Sequence, residues 1–244
     1  MTNDTRRRAL VTGGSGDLGS AICQALAANG CEVIVHANTR LANATRVADG
    51  IRAVGGCAAA VCFDVTDAGA TRQAISELLE TGPIGIVVNN AGIHDDAPMA
   101  GMSDAQWHRV IDVSLHGFFH VTQPLLLPMA RLRFGRVINV SSVAAVTGNR
   151  GQTNYAAAKS ALHGASLSLA REMGSRGITV NVVAPGIIAG RMTDAVFTPE
   201  TIRQMVPAAR AGTADEVAAL VRFLASDEAA YVNGQVIGVN GGMA

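Results

Sequence analysis

The stretch Ala9-Leu10-Val11-Thr12-Gly13-Gly14-Ser15-Gly16-Asp17-Leu18-Gly19 decides how the rest of the chain is read. A short apolar run passes through a glycine-rich turn straight into an Ala-rich helical pattern. Glycines at such a turn let the backbone approach a ligand closely, and the free N–H groups at the start of the next helix suit a pyrophosphate. Gly14, Gly16 and Gly19 satisfy GxGxxG in the strand–turn–helix setting that gives this motif its meaning. Gly13, Ser15, Gly16, Asp17, Leu18 and Gly19 are therefore expected around the pyrophosphate of a dinucleotide.

The same strand-to-helix rhythm repeats outward from this stretch. Strand-like runs are expected at 9–12, 32–37, 58–64, 84–89, 136–141, 179–184 and 235–239, and helical patterns near 17–29, 41–54, 68–80, 103–131, 154–175 and 213–226. Alternation of this kind predicts βαβ units and a parallel sheet. With right-handed crossovers the result is a single α/β domain over 1–244, a Rossmann-type doubly wound sheet of about seven strands with helices on both faces. Residues 186–207 break the rhythm with two glycines and two prolines around a short apolar piece. Placed after a strand end, this segment is expected to be a substrate-binding loop or lid.

Composition narrows the partner. Lys+Arg and Asp+Glu number 19 each in 244 residues, so no global basic field exists to draw in nucleic acid or an anionic membrane. A small molecule is the expected ligand. Cys23, Cys31, Cys57 and Cys62 show neither CxxC spacing nor the density of a disulfide scaffold, which fits a reducing compartment. The opening residues MTNDTRRRALVTGG contain no apolar signal-like region, and no apolar stretch of about 18 residues follows. A soluble, cytoplasmic protein is expected.

Two further places carry chemistry. A carboxylate at the end of the second strand would accept from the ribose 2′-hydroxyl of NAD, but the run here is Val35-His36-Ala37-Asn38-Thr39-Arg40. Asn38 with the Arg40 guanidinium suits a 2′-phosphate, so NADP(H) is favoured over NAD(H). Tyr155 and Lys159 stand four residues apart on a helical pattern and so share one face. An ammonium beside a phenol favours the phenolate and readies it to exchange a proton with a substrate oxygen. Ser142 follows the fifth strand, at the sheet end where open α/β folds bind ligands, and its hydroxyl can donate to a developing alkoxide.

Thr12–Gly19, Asn89-Asn90-Ala91-Gly92, Ser142 thirteen residues before Tyr155, Lys159 and Pro185-Gly186 together resemble the short-chain dehydrogenase/reductase family across essentially the whole chain. The strings from Gly148 to Lys159, from Arg176 to Gly186 and from Val239 to Met243 look like its 3-oxoacyl-[acyl-carrier-protein] reductase branch. The resemblance implies Asp64 and Val65 at the adenine, Asn89, Asn90, Ala91 and Gly92 supporting the cofactor wall, Pro185 and Gly186 among the cofactor-binding residues, and Ile188 near the carboxamide. It also implies Tyr155 as acid, with Lys159 holding the ribose and lowering the tyrosine pKa. A homotetramer is implied as well, with Arg133 and Arg176 as contacts for an acidic carrier protein.

Three positions depart from the family pattern. Asp17 replaces the middle glycine of the turn and brings a carboxylate toward the pyrophosphate. Ser114 stands where the family has a helix asparagine that supports a proton-relay water, and Gly190 where a threonine is usual. Of the remaining candidates, His108, His116 and His120 are read as surface or interface residues with no metal, and His94 and Asp95 as cleft-mouth residues. The expected function is NADPH-dependent reduction of a 3-oxoacyl thioester. A reductase of a free small ketone, sugar or polyol and a cofactor-binding subunit without catalysis are the alternatives.

Overall fold

The computed structural model describes residues 6–190, 193 and 197–244. Among them lie seven parallel strands: β1 (Arg8–Val11), β2 (Glu32–Ala37), β3 (Cys57–Cys62), β4 (Ile84–Asn89), β5 (Gly135–Val140), β6 (Ile178–Pro185) and β7 (Val236–Val239). They form one sheet in the order β3-β2-β1-β4-β5-β6-β7. The order reverses between β1 and β4, which opens a crevice at the C-terminal ends of those strands. The expected doubly wound architecture is the one observed.

The strand sequences follow from burial on both faces. Every residue of β1, β4, β5 and β6 is buried, which explains their near-continuous apolar runs, whereas the edge strand β7 alternates exposed and half-buried positions. On one face, α1 (Asp17–Ala28), α2 (Leu41–Ala53) and α9 (Ala214–Ala225) bury Ile22, Leu26, Ile51, Val221 and Leu224. On the other, α3 (Ala68–Glu80) and α5 (Gly117–Leu132) bury Ile75, Val121, Leu125 and Met129. Truncating one of these fully buried side chains to alanine costs roughly 2–5 kcal/mol.

Two local expectations are corrected. The helix expected over 103–131 is α4 (Asp104–Ile111), a π-helical segment Asp112–His116, and then α5. The wider π turn shifts the register of the side chains, and Ser114 comes to lie buried within the turn. The segment 186–207 is not a plain loop, because Thr198 accepts from the Thr201 N–H and starts α8 (Pro199–Met205). Residues 191, 192 and 194–196 of this expected lid lie outside the described residues. The remaining helices are α6 (Ala144–Thr147) and α7 (Thr153–Met173), the latter packing on β6, α4 and α6.

Candidate active site

The glycine turn is stapled to the end of β4. Thr12 Oγ1 accepts from the N–H groups of Asn90 and Ala91, both at 3.0 Å, and Asn90 Nδ2 donates to the carbonyls of Thr12 at 2.9 Å and Gly13 at 3.2 Å. Two glycines are required by space. A Cβ on Gly19 would stand 2.2 Å from the Gly13 carbonyl oxygen, and one on Gly13, itself at φ +62°, would crowd Ala91 Cα at 3.1 Å. This bare backbone cradle, at the start of α1 and in the crevice at the sheet's switch point, fits a dinucleotide pyrophosphate. Gly13, Ser15, Gly16, Leu18, Gly19, Asn90, Ala91 and Gly92 are thus gathered at one place. Asn38 and Arg40 are exposed beyond the end of β2, and Asp64, exposed after β3, accepts from Thr66 N–H at 2.9 Å. The Val65 side chain is buried in the core, where a Cβ on Gly117 would meet it at 2.9 Å, so only its backbone is left to face an adenine.

Ser142, Tyr155 and Lys159 come together at the C-terminal end of β5. The Ser142 hydroxyl lies close enough to the Tyr155 phenol to act on its ionisation, and its oxygen accepts from Ala144 N–H at 3.2 Å. Lys159 is buried, donates from Nζ to the Val140 carbonyl at 2.8 Å, and sits 5.8 Å from the tyrosine ring centre. Burial lowers its pKa to about 8. The expectation that the tyrosine pKa is lowered is corrected here. Burial pushes Tyr155 above its ordinary value, the Ser142 hydrogen bond acts the other way, and the Asp96 carboxylate raises it further. With its ammonium turned to Val140, Lys159 does not overcome the desolvation of the phenolate.

Sequence reasoning missed the role of Asn154. Fully buried, it donates from Nδ2 to the carbonyls of Asp95 (3.0 Å) and Gln106 (3.1 Å) and accepts from Tyr155 N–H (2.8 Å), tying the catalytic helix to the wall after β4. Its place directly before Tyr155 at the start of α7 was the available signal. Asp95 is occupied by Arg109 at 2.6 Å and Gln106 at 3.0 Å, so the carboxylate that acts on Tyr155 is Asp96, held by Gln152 at 2.9 Å and His94 at 3.3 Å. The Ser114 hydroxyl is buried without a protein partner, in the π segment that packs on α7. Ile188 bridges to Gly212 in parallel fashion, and Gly186 lies so close to Asn240 that a Cβ there would meet its Cα at 2.8 Å.

The model of the family described as enoyl-(acyl carrier protein) reductase matches residues 15–244. The chain belongs to the short-chain dehydrogenase/reductase family. Nodulation protein G of Rhizobium sp. (strain N33) is 46% identical over 246 residues, covering 98% of each chain. The 3-oxoacyl-[acyl-carrier-protein] reductase of Escherichia coli (strain K12) is 44% identical over 238 residues, 96% of each chain. That of Synechocystis sp. is 44% identical over 245 residues, 100% of this chain and 99% of its own. A solved Agrobacterium tumefaciens protein, provisionally described as a gluconate dehydrogenase, superposes with a TM-score of 0.94 at 33% identity, covering 97% of this chain and 95% of that one. As a short-chain dehydrogenase/reductase the protein is an oxidoreductase acting at CH–OH/C=O groups, and its nearly full-length likeness to the 3-oxoacyl reductases agrees with the resemblance read from its motifs.

His116 pairs with Asp112 at 2.8 Å and His120 Nδ1 lies 2.9 Å from the Val65 carbonyl. Among the described residues no group of three potential metal ligands is assembled, and no helix is long and apolar enough to cross a membrane. Arg133 and Arg176 precede β5 and β6, whereas Ser142 follows β5, so they are exposed at the opposite end of the sheet. A six-residue strand separates them from the site by roughly 20 Å. They are neighbours of one another, with Arg133 Nη2 donating to the Ser175 carbonyl at 3.4 Å.

Proposed function

We propose that this protein reduces a 3-oxoacyl thioester, carried on acyl carrier protein, to the 3-hydroxyacyl thioester with NADPH. The observation that carries the reading is the grouping of Tyr155 and buried Lys159, 5.8 Å from ring centre to Nζ, with Ser142 at the open end of β5 and with Gly92 of the cofactor wall against Lys159. When bound, the nicotinamide supplies the hydride. Ser142 donates a hydrogen bond that orients the substrate carbonyl oxygen and supports the charge building on it. Tyr155, kept as the neutral phenol by burial, delivers the proton to that oxygen. The Lys159 ammonium, within reach of Gly92, holds the ribose on the cofactor side and steadies the phenolate left behind. The Ser114 hydroxyl would relay a proton from solvent, through a water, back to the tyrosine, taking one up as it passes one on. The absence of a carboxylate at Asn38–Arg40 supports NADPH over NADH.

The thioester reading is supported by relatives named as 3-oxoacyl-[acyl-carrier-protein] reductases, those of Escherichia coli and Synechocystis among them. Arg133 and Arg176 serve as carrier contacts only if a neighbouring subunit brings them to the mouth of this cleft. The exposed Phe119, Leu127, Leu132 and Leu167 on α5 and α7 support such a homotetramer. The Agrobacterium structure favours one second reading, oxidation or reduction of a free polyhydroxylated substrate. Rates with a carrier-bound 3-oxoacyl thioester, the same acyl group on a short free thiol, and gluconate, each with NADPH and NADH, separate the two. Preference for the carrier-bound thioester, with a KM that rises with salt, supports the proposal. Turnover of gluconate alone overturns it.

A further inference from the structure

His36 is buried in β2 and takes no part in the chemistry described above, yet it touches the cofactor cradle. Its Nδ1 lies 3.1 Å from the Gly13 N–H, and its Nε2 lies 2.8 Å from the Phe63 carbonyl. The Phe63 ring packs on the imidazole with centroids 4.2 Å apart. These contacts fix the tautomer. An N–H can only donate, so Nδ1 carries no proton, and a carbonyl can only accept, so Nε2 carries one. Burial agrees with a neutral ring, since it lowers the His36 pKa against the opposing pull of the Phe63 carbonyl and Asp64.

We propose that His36 is a positioning residue for the dinucleotide, joining the turn that receives the pyrophosphate to the strand end that receives the adenine. Gly13 holds a left-handed conformation at the head of the turn, and its N–H points inward to the ring rather than to the ligand. Phe63 immediately precedes Asp64 and Val65. One rigid imidazole therefore sets the spacing between the two ends of the cofactor's AMP half, a task no freely rotating hydroxyl could perform. Removing the acceptor leaves the part-buried Gly13 N–H without its protein partner and loosens the head of the turn.

This inference rests on the dinucleotide reading of the site, and the experiment keeps the two apart. His36→Leu and His36→Asn have nearly the same shape and leave the same space beside Phe63, but only the asparagine oxygen can accept from Gly13. NADPH dissociation constants are measured by fluorescence, with kcat at saturating NADPH. The leucine variant is expected to bind about 10-fold more weakly at nearly unchanged kcat, and the asparagine variant to recover most of the loss. In the parent, nitrogen NMR of the His36 ring is expected to show the Nε2–H tautomer, a readout that needs no variant to fold. A leucine variant that binds like the parent, an asparagine variant as weak as leucine, or the Nδ1–H tautomer overturns the role of His36. A parent that binds neither NADPH nor NADH overturns the proposed function with it.

Discussion

The Asp17 carboxylate oxygen Oδ2 lies 3.5 Å from the point at which a side chain on Gly190 would begin. Two departures from the family pattern, far apart in the chain, are therefore one feature in space. Asp17 is the first residue of α1, directly after the cap residue Gly16. Its carboxylate therefore lies against the segment after β6.

A carboxylate at this position opposes a pyrophosphate. Asp17→Asn keeps the shape and removes the charge, and it is expected to tighten NADPH binding by about 3- to 10-fold at low ionic strength. The gain should shrink as salt is added. Titrations at several salt concentrations check it, and equal affinities throughout would mean the charge never faces the phosphates.

Tyr155→Phe removes the proton donor and little else. Carbonyl reduction should fall by at least about 100-fold while NADPH binding stays near the parent value. Because burial raises the Tyr155 pKa, the phenol is protonated at neutral pH and ready for reduction, whereas alcohol oxidation needs the phenolate and should gain steeply with rising pH. Steady-state rates in both directions over pH test this, and a phenylalanine variant that still turns over would assign the proton to another group.

Lys159 is held at a cost to stability. Its folded-state pKa of about 8 lies below the ordinary lysine value of 10.5. The penalty is therefore full below pH 8 and fades as pH rises to the unfolded value. Lys159→Met should abolish activity yet raise stability at neutral pH by about 2 kcal/mol, after allowing for the lost bond to the Val140 carbonyl. Denaturant melts at neutral and strongly alkaline pH measure it, and a variant less stable than the parent at neutral pH would show that the lysine is a net structural support.

Ser114→Ala should lower kcat about 10-fold with little change in NADPH affinity, and Ser114→Asn should match or modestly exceed the parent. The buried, unpartnered hydroxyl in the π segment motivates both. An alanine variant indistinguishable from the parent in rate and pH dependence removes Ser114 from the proton path.

What the sequence made legible was what local spacing encodes. The glycine turn, the Tyr155–Lys159 pair on one helical face and Ser142 after a strand each depend on neighbours within a few residues, and they lie where the pattern puts them. The position of Arg133 and Arg176 away from the cleft was also readable, since each precedes a strand whose other end bears the site. Contacts between distant segments were not readable. Nothing near His36 announces Gly13 and Phe63 as its partners, and nothing near Asp17 announces Gly190. Asp95 and Asp96 are adjacent and alike in sequence, and only the placement of Arg109, Gln106, Gln152 and His94 assigns them different tasks. The π turn at Asp112–His116 escaped because its apolar pattern reads as ordinary helix.

The strand order has a consequence for synthesis. β1 is made first but pairs with both β2 and β4, and the residues that close the glycine turn, Asn90 and Ala91, come only after β4. During translation the nascent chain therefore carries the whole phosphate-binding motif beside an open, apolar strand edge, which invites wrong pairing until the fourth strand arrives. A fragment ending before residue 84 would contain every glycine of the turn and still lack the donors that shape it. The motif marks the ligand's place early in the chain, and the fold completes it only once Asn90 and Ala91 have followed the fourth strand.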